Sequence, residues 1–383
     1  LDFDLGPTAE AFRRETRAFL ESALPVDVIE EAHRTGTYHN WDFHRALAKE
    51  GLLAPGWPVE LGGLGRSPED VLAFQEELQR ADAPWIGAAT TMMVAGVLRT
   101  IGTPQQQAEL LPKALAGEIL IVLGFTEPEC GSDAAAAATR AVRDGDQWII
   151  NGQKMFTTNA HVADYVFLLA RSDPDRPKHE GLTTFLVPLD QPGVNVQKVI
   201  TMSGERTNVT YYDDARVDDA LRIGAVHGGW DAMAVALTLE RTNPGGVRHE
   251  HLVETAERLA ASTTDAEGTP LIDDPDVQIR IARAATDGHV ARLLGRRAVW
   301  MYARGELPGV EGSMAKLFNS ESLMHAVDDL STITPGALRT DQRESEQLER
   351  ALRQAPAGTI YGGTSEVQRS IIAQRRLGLP RPR

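Results

Sequence analysis

The sequence predicts an α+β fold in three parts: helices over residues 1–119, a central antiparallel β-barrel domain over 120–228, and a C-terminal four-helix bundle over 229–383. Three observations carry that reading. Apolar residues recur at spacings of three and four in the first and last thirds. Runs rich in β-branched and aromatic residues, divided by turn residues, fill the middle. At 383 residues the chain also exceeds what one hydrophobic core organises, so several domains are expected.

The first third opens where Thr8 is placed to cap a helix that puts Phe12, Phe19 and Leu20 on one face. A Gly/Pro-rich loop, Trp57 to Gly65, interrupts the helices. Its Gly63-x-Gly65 is no dinucleotide fingerprint, because no strand precedes it and Arg66-Ser67-Pro68 follows in place of a third glycine. The middle third holds Trp148-Ile149-Ile150, then Asn151-Gly152, then Lys154-Met155-Phe156. Asn-Gly accepts the positive φ of a type I′ turn, so a hairpin turn is expected there. Strand-like runs follow at Tyr165–Ala170, Thr183–Val187, Val194–Val199 and Val209–Tyr212. In the last third, Val277, Ile281, Ala284, Gly288, Ala291, Leu294, Ala298 and Met301 form one long helical stripe. A second helix carries Met314, Leu317, Phe318, Met324 and Val327.

Composition excludes several functions. The formal charge is −15, which opposes nucleic-acid binding, since phosphate contacts need a basic surface. No apolar run approaches the roughly 18 residues of a membrane span. Residues 1–14 lack the basic start and apolar core of a secretory signal, so export is not expected. The single cysteine, Cys130, permits no internal disulfide or cysteine-rich metal site and fits a reducing cytoplasm. His249 and His251, two apart, would point to different sides of a helix, so no metal is expected.

The chemistry concentrates in two segments. Thr126-Glu-Pro-Glu-Cys-Gly-Ser-Asp133 leaves an apolar run, Ile119–Phe125, and exposes backbone amides and hydroxyls suited to a flat polar ligand. Tyr361-Gly-Gly-Thr-Ser-Glu-Val-Gln-Arg369 stands near the end. With the stretches 148–159, 163–171 and 203–217 between them, these segments resemble, in order and spacing, the acyl-CoA dehydrogenase family. The resemblance implies FAD as cofactor and dehydrogenation of an acyl thioester to its 2-enoyl product. It further implies reoxidation by an electron-transferring flavoprotein, a place in fatty acid or lipid metabolism, and a homodimer or homotetramer.

Carried over by residue, Phe125 and Thr126 would contact the flavin ring, Ser132 the cofactor and the substrate's phosphorylated arm, and Phe156 would stack on the flavin. Thr158 would hydrogen-bond near the reactive nitrogen, and Thr364 and Glu366 would reach the adenosine end. The position between Tyr361 and Gly363, which carries the catalytic glutamate in many members, is Gly362. The base is therefore expected at Glu240, as in the branch resembling isovaleryl-CoA dehydrogenase, with Arg241 beside it at the substrate. The Gly362 backbone amide would donate to the thioester carbonyl, and Pro244 would end the helix and shape the acyl pocket. Two departures stand out. No R-x-x-F-G arginine occurs in Leu259–Pro270, and the glycine-rich FAD loop is reduced to Ile333-Thr-Pro-Gly336. The alternatives are a flavin oxidase or monooxygenase on the same fold and a non-catalytic subunit of a heteromeric dehydrogenase.

Overall fold

A computed structural model describes residues 3–239, 245–306, 309–333, 338 and 343–380. Six helices come first: α1 (Gly6–Ala23), α2 (Val26–Thr35), α3 (Trp41–Lys49), α4 (Pro68–Arg80), α5 (Ile86–Ile101) and α6 (Pro104–Leu115). Eight strands follow: β1 (Ile121–Gly124), β2 (Arg140–Asp144), β3 (Gln147–Lys154), β4 (Tyr165–Arg171), β5 (Leu182–Pro188), β6 (Val194–Ile200), β7 (Arg206–Asp218) and β8 (Arg222–Ile223). The chain then returns to helix in α7 (Gly229–Leu239), α8 (Val247–Ser262), α9 (Pro275–Ala303), α10 (Glu311–Leu330), α11 (Arg343–Gly358) and α12 (Ser365–Leu377).

Local chemistry sets many of these boundaries. Asn40 caps α3 by accepting the Phe43 N–H, and Ser67 caps α4 ahead of Pro68. Thr103 and Gln106 form a reciprocal capping box on α6. Thr8 does not cap α1, which starts two residues earlier at Gly6, whose N–H donates to Asp4 Oδ1 at 3.2 Å. Phe12 and Leu20 are buried on α1 as expected, together with Ala9 and Thr16.

The chain divides into two compact units, one comprising Glu21–Arg66 and Ala83–Glu240, the other Leu1–Leu20, Ser67–Asp82 and Arg241–Arg383. The first unit is built on the sheet, in the order β6-β7-β3-β2-β4-β5-β8, with β1 paired to β4. It is open rather than a closed barrel: among the described residues no ladder joins β6 to β8. Strand β8 is two residues long, too short for a second ladder, and β6 carries Asn195, Gln197 and Lys198 along a largely solvent-facing edge. Nor is the sheet wholly antiparallel, because β1 runs parallel to β4 and Arg140 bridges Arg171 in parallel.

The expected Asn-Gly turn is also corrected. The β2–β3 hairpin turns at Gly145-Asp146, where Gly145 takes φ 66° and Asp144 pairs with Gln147. Asn151-Gly152 lies inside β3, at a register shift against β7. Asn151 exchanges two 2.9 Å hydrogen bonds with Asp214, and a Cβ at Gly152 would lie 2.7 Å from Thr139 Oγ1. Glycine is required there by close approach within the sheet.

Strands β4 and β5 are buried on both faces, which explains their unbroken apolar runs. One face packs Val166, Leu168, Phe185 and Val187 with Trp148 and Ile150. The other packs Phe167 and Leu186 against Val94, Val97 and Leu98 of α5 and Ala232 and Ala236 of α7. Full burial of each large side chain contributes roughly 1.5–3 kcal/mol. In the second unit, α8, α9, α10 and α11 share a core of Leu252, Leu259, Val277, Ile281, Val327, Leu330 and Leu348. The stripe on α9 drifts as a straight helix must: Gly295 and Val299 are buried, whereas Leu294 and Met301 are not. On α10, Val327 is buried, but Met314, Leu317 and Phe318 are only half-buried.

Candidate active site

Strand β1 delivers Phe125 and Thr126 to one side of the sheet, and β3 delivers Phe156 and Thr158 to the same place. Met155 N–H donates to the Thr126 carbonyl at 2.8 Å and ties the two segments together. A second tie is ionic. The Lys154 ammonium donates to the Phe125 carbonyl at 3.2 Å and to Glu127 Oε1 at 2.7 Å, while Glu127 accepts N–H bonds from Ala138 at 2.7 Å and Thr139 at 2.9 Å. Burial alone would raise the Glu127 carboxyl, but Lys154 and these donors outweigh it and hold the pKa below the ordinary value.

After Lys154 the backbone turns sharply. Phe156 adopts φ 58° and Asn159 φ 61°, and Thr158 N–H bonds back to the Phe156 carbonyl at 2.9 Å. A left-handed phenylalanine is costly, since its Cβ crowds the backbone. The result is an aromatic ring held outward, 56% exposed. Thr158 is also exposed, whereas Thr157 between them is buried against Thr210, and the Thr158 hydroxyl meets that of Thr207 at 3.3 Å. Phe125 packs edge-on to Phe167, and Ser132 is exposed on the loop beyond Cys130. An outward ring, an outward hydroxyl and loop amides on one surface suit a flat heteroaromatic ligand, so these residues fit a flavin.

The terminal motif belongs to the other unit. Gly362 and Gly363 take φ 62° and 84°, consecutive left-handed conformations that the pair of glycines permits. Gln368 Nε2 donates to the Gly362 carbonyl at 2.9 Å, and Lys316 Nζ to that of Gly363 at 2.6 Å. With its carbonyl so engaged, the exposed Gly362 presents its N–H, which meets no backbone acceptor among the described residues. Thr364 is occupied as the N-cap of α12, accepting from Val367 N at 3.3 Å. Glu366 is exposed in the first turn, its pKa lowered by its own backbone N–H and by Thr364.

Glu240, Arg241 and Pro244 lie outside the described residues, as do residues 334–336 of the reduced loop. On α7, which leads to residue 240, Ala236 is buried and Leu237 is 38% exposed. In place of an R-x-x-F-G segment, residues 263–270 form a turn closed by a bridge between Thr264 and Pro270. Sequence reasoning missed Lys154, Glu127, Gln368 and Lys316. Glu127 and Lys154 stood inside segments already singled out, and a charged residue within an apolar strand was the available signal.

Three family models cover nearly all of the chain: the acyl-CoA dehydrogenase N-terminal domain at residues 6–118, the middle domain at 122–214 and the C-terminal domain at 227–377. The chain belongs to the acyl-CoA dehydrogenase family. It is 38% identical to acyl-CoA dehydrogenase IpdE1 of Mycobacterium tuberculosis, over 97% of this chain and 98% of that protein. Its fold matches the crystal structure of the ChsE4-ChsE5 complex from Mycobacterium tuberculosis with a TM-score of 0.89 and 33% identity, over 98% of this chain and 99% of that one. It also matches the Tcur3481-Tcur3483 steroid acyl-CoA dehydrogenase with a TM-score of 0.87 and 31% identity, over 99% and 100% of the two chains.

Proposed function

We infer that the protein is an FAD-dependent acyl-CoA dehydrogenase that converts an acyl-CoA thioester to its 2-enoyl thioester. The observation that carries the reading is the joining of the half-buried Phe125–Thr126 to the exposed Phe156 and Thr158 by the Met155–Thr126 hydrogen bond and the Lys154 bridge. FAD, when bound, supplies the acceptor for the hydride that leaves the β carbon. Thr158 and the Phe125–Thr126 backbone would orient that cofactor, and Phe156 would pack on its ring. Thr364 and Glu366 would reach the adenosine end.

Glu240 is proposed as the base. Its carboxylate takes the α proton, and desolvation by substrate strengthens it as a base, because burial disfavours the charged form. The Gly362 N–H donates to the thioester carbonyl, where negative charge develops as the proton leaves. Ser132 and Arg241 hold the substrate. With Glu240 as base, the protein is read as a member of the branch resembling isovaleryl-CoA dehydrogenase. A glycine at 362 also leaves room beside the α and β carbons, so a branched or ring-bearing acyl group is proposed. That one of the matched structures is named a steroid enzyme supports a bulky substrate. Residues 1–119, 120–228 and 229–383 are taken as its three domains. The working form is a cytoplasmic homodimer or homotetramer, reoxidised by an electron-transferring flavoprotein.

A second reading rests on Leu259–Pro270, which contains no arginine for the FAD diphosphate. That absence and the match to a ChsE4-ChsE5 complex support a heteromeric assembly in which a partner chain completes the cofactor site. Anaerobic titration with straight, branched and ring-bearing acyl-CoA thioesters, beside Glu240→Gln, tests both readings. Bleaching of the flavin band in the parent protein alone supports the dehydrogenase with Glu240 as base. Flavin that no thioester bleaches sinks it, and protein that turns yellow only with a partner chain selects the heteromer.

A further inference from the structure

We propose that a second cleft, walled by α2, the segment Gly36–Trp41 and the β6–β7 hairpin, binds a phosphate-bearing anion. The cleft encloses about 770 Å³ within the sheet-based unit. Three cations line it, Arg34, Lys198 and Arg206, against a single carboxylate, Glu31. On a chain of formal charge −15, that local excess of positive charge runs opposite to the overall composition. Arg34 is paired with Glu31 at 3.4 Å. Lys198 and Arg206 pair with no carboxylate among the described residues.

Arg206 is the central residue. Its backbone N–H donates to the Gly36 carbonyl at 2.8 Å, and Gly36 sits so close to Gly204 that a Cβ there would collide with the Gly204 carbonyl. The two walls are thereby locked together, and the cleft is formed without rearrangement. The Arg206 Nε is buried and meets no hydrogen-bond partner among the described residues, and burial lowers the guanidinium pKa. An anion in the cleft supplies that missing partner.

His39 gives an independent sign. It is 8% exposed, borders the cleft and has a partner on neither ring nitrogen among the described residues. Buried polar groups are almost always hydrogen-bonded, and a neutral imidazole has one N–H to donate. Opposite stands His161, whose Nδ1 accepts from Asn208 Nδ2 at 3.3 Å, an arrangement that leaves its Nε2–H to donate to Thr37 Oγ1 at 3.0 Å.

The cleft is distinct from the candidate active site. Successive residues of a strand face opposite sides. Thr207 turns toward Thr158, and Arg206 turns to the cleft. Excess positive charge with N–H donors suits a phosphate dianion. Its flanks, Val28, Ala32, Val162 and Ile200, offer apolar support to an organic body carrying that phosphate.

Isothermal titration calorimetry on the full chain as purified, with inorganic phosphate and phenyl phosphate in parallel, tests the proposal. Saturable binding at one site is expected, weakened about tenfold by Lys198→Gln and further by Lys198→Gln/Arg206→Gln. Lys198 is exposed on an edge strand, so the single variant is expected to fold as the parent does. Tighter phenyl phosphate identifies a phosphate carried on an organic body, and equal affinities identify the free ion. No saturable binding up to about 10 mM, or binding that both Lys198→Gln and Arg206→Gln leave unchanged, overturns the proposal.

Discussion

Lys154 and Glu127 form an ion pair at 2.7 Å with side chains 0% and 6% exposed. Such a pair is expensive to bury and more expensive to break, because removing one member strands the other's charge. Its position explains its presence. Lys154 ends β3, Glu127 opens the loop after β1, and the ammonium also binds the Phe125 carbonyl, so one side chain registers both of the segments proposed to face the flavin.

Lys154→Met is therefore expected to lose about 3–5 kcal/mol in denaturant titrations, with loss of bound flavin. Lys154→Met/Glu127→Gln recovers part of that stability by removing the stranded charge, but not the flavin. Recovery of both in the double variant would show that the pair does not position the site.

Phe156 sets stability against binding. Its φ of 58° is left-handed, a conformation that costs a residue with a Cβ about 1–2 kcal/mol. Phe156→Gly should stabilise the flavin-free protein slightly and weaken flavin binding at least tenfold, whereas Phe156→Trp keeps the binding. Thermal melting and flavin fluorescence titration read the two effects separately. Equal flavin affinity in the glycine variant would remove the ring from the site.

Gln368 is expected to orient the Gly362 amide by holding the adjoining carbonyl. Gln368→Leu should lower kcat roughly ten- to a hundredfold, less than outright loss of an oxyanion donor. The melting temperature and the flavin content should remain near those of the parent protein. A change confined to KM would assign Gln368 to uniform substrate binding instead.

Buried histidines make the fold sensitive to mild acid. Burial holds His39 down to about 3, with His44, Arg45 and His161 adding to the effect, and holds His44 and His249 down to about 4. An unfolded histidine titrates near about 6.5. Between about pH 6.5 and those lowered values the unfolded chain binds protons that the folded chain refuses. Stability accordingly falls as pH drops through about 6.5, by at most about 1.4 kcal/mol per pH unit for each histidine. The urea midpoint of His39→Gln should depend less steeply on pH from about 6.5 to 4.5. An unchanged slope would exclude a buried neutral His39.

Much of the fold was legible because its signals are local. The three-four spacing along α9 and the strand-length runs of β4 and β5 involve residues within a few positions of one another, whereas the cap expected at Thr8 is replaced by an earlier start at Gly6. The two segments proposed to hold cofactor and substrate stood out in the sequence for a related reason: their residues are contiguous. The Asn-Gly dipeptide misled because turn propensity is shared by two sites, Asp144-Gly145 and Asn151-Gly152, and contact with Thr139 assigns the second to a bulge.

By itself the sequence determined the order of helices, strands and helices, and the family. Tertiary structure alone decided that the sheet stays open, that α4 joins the second unit with α8 and α9, that Lys154 is buried on Glu127, and that Arg206 and His39 face one cleft. The physical reason is range. Helix and turn preferences are settled by neighbours along the chain, whereas burial, charge pairing and sheet closure depend on residues tens to hundreds of positions apart.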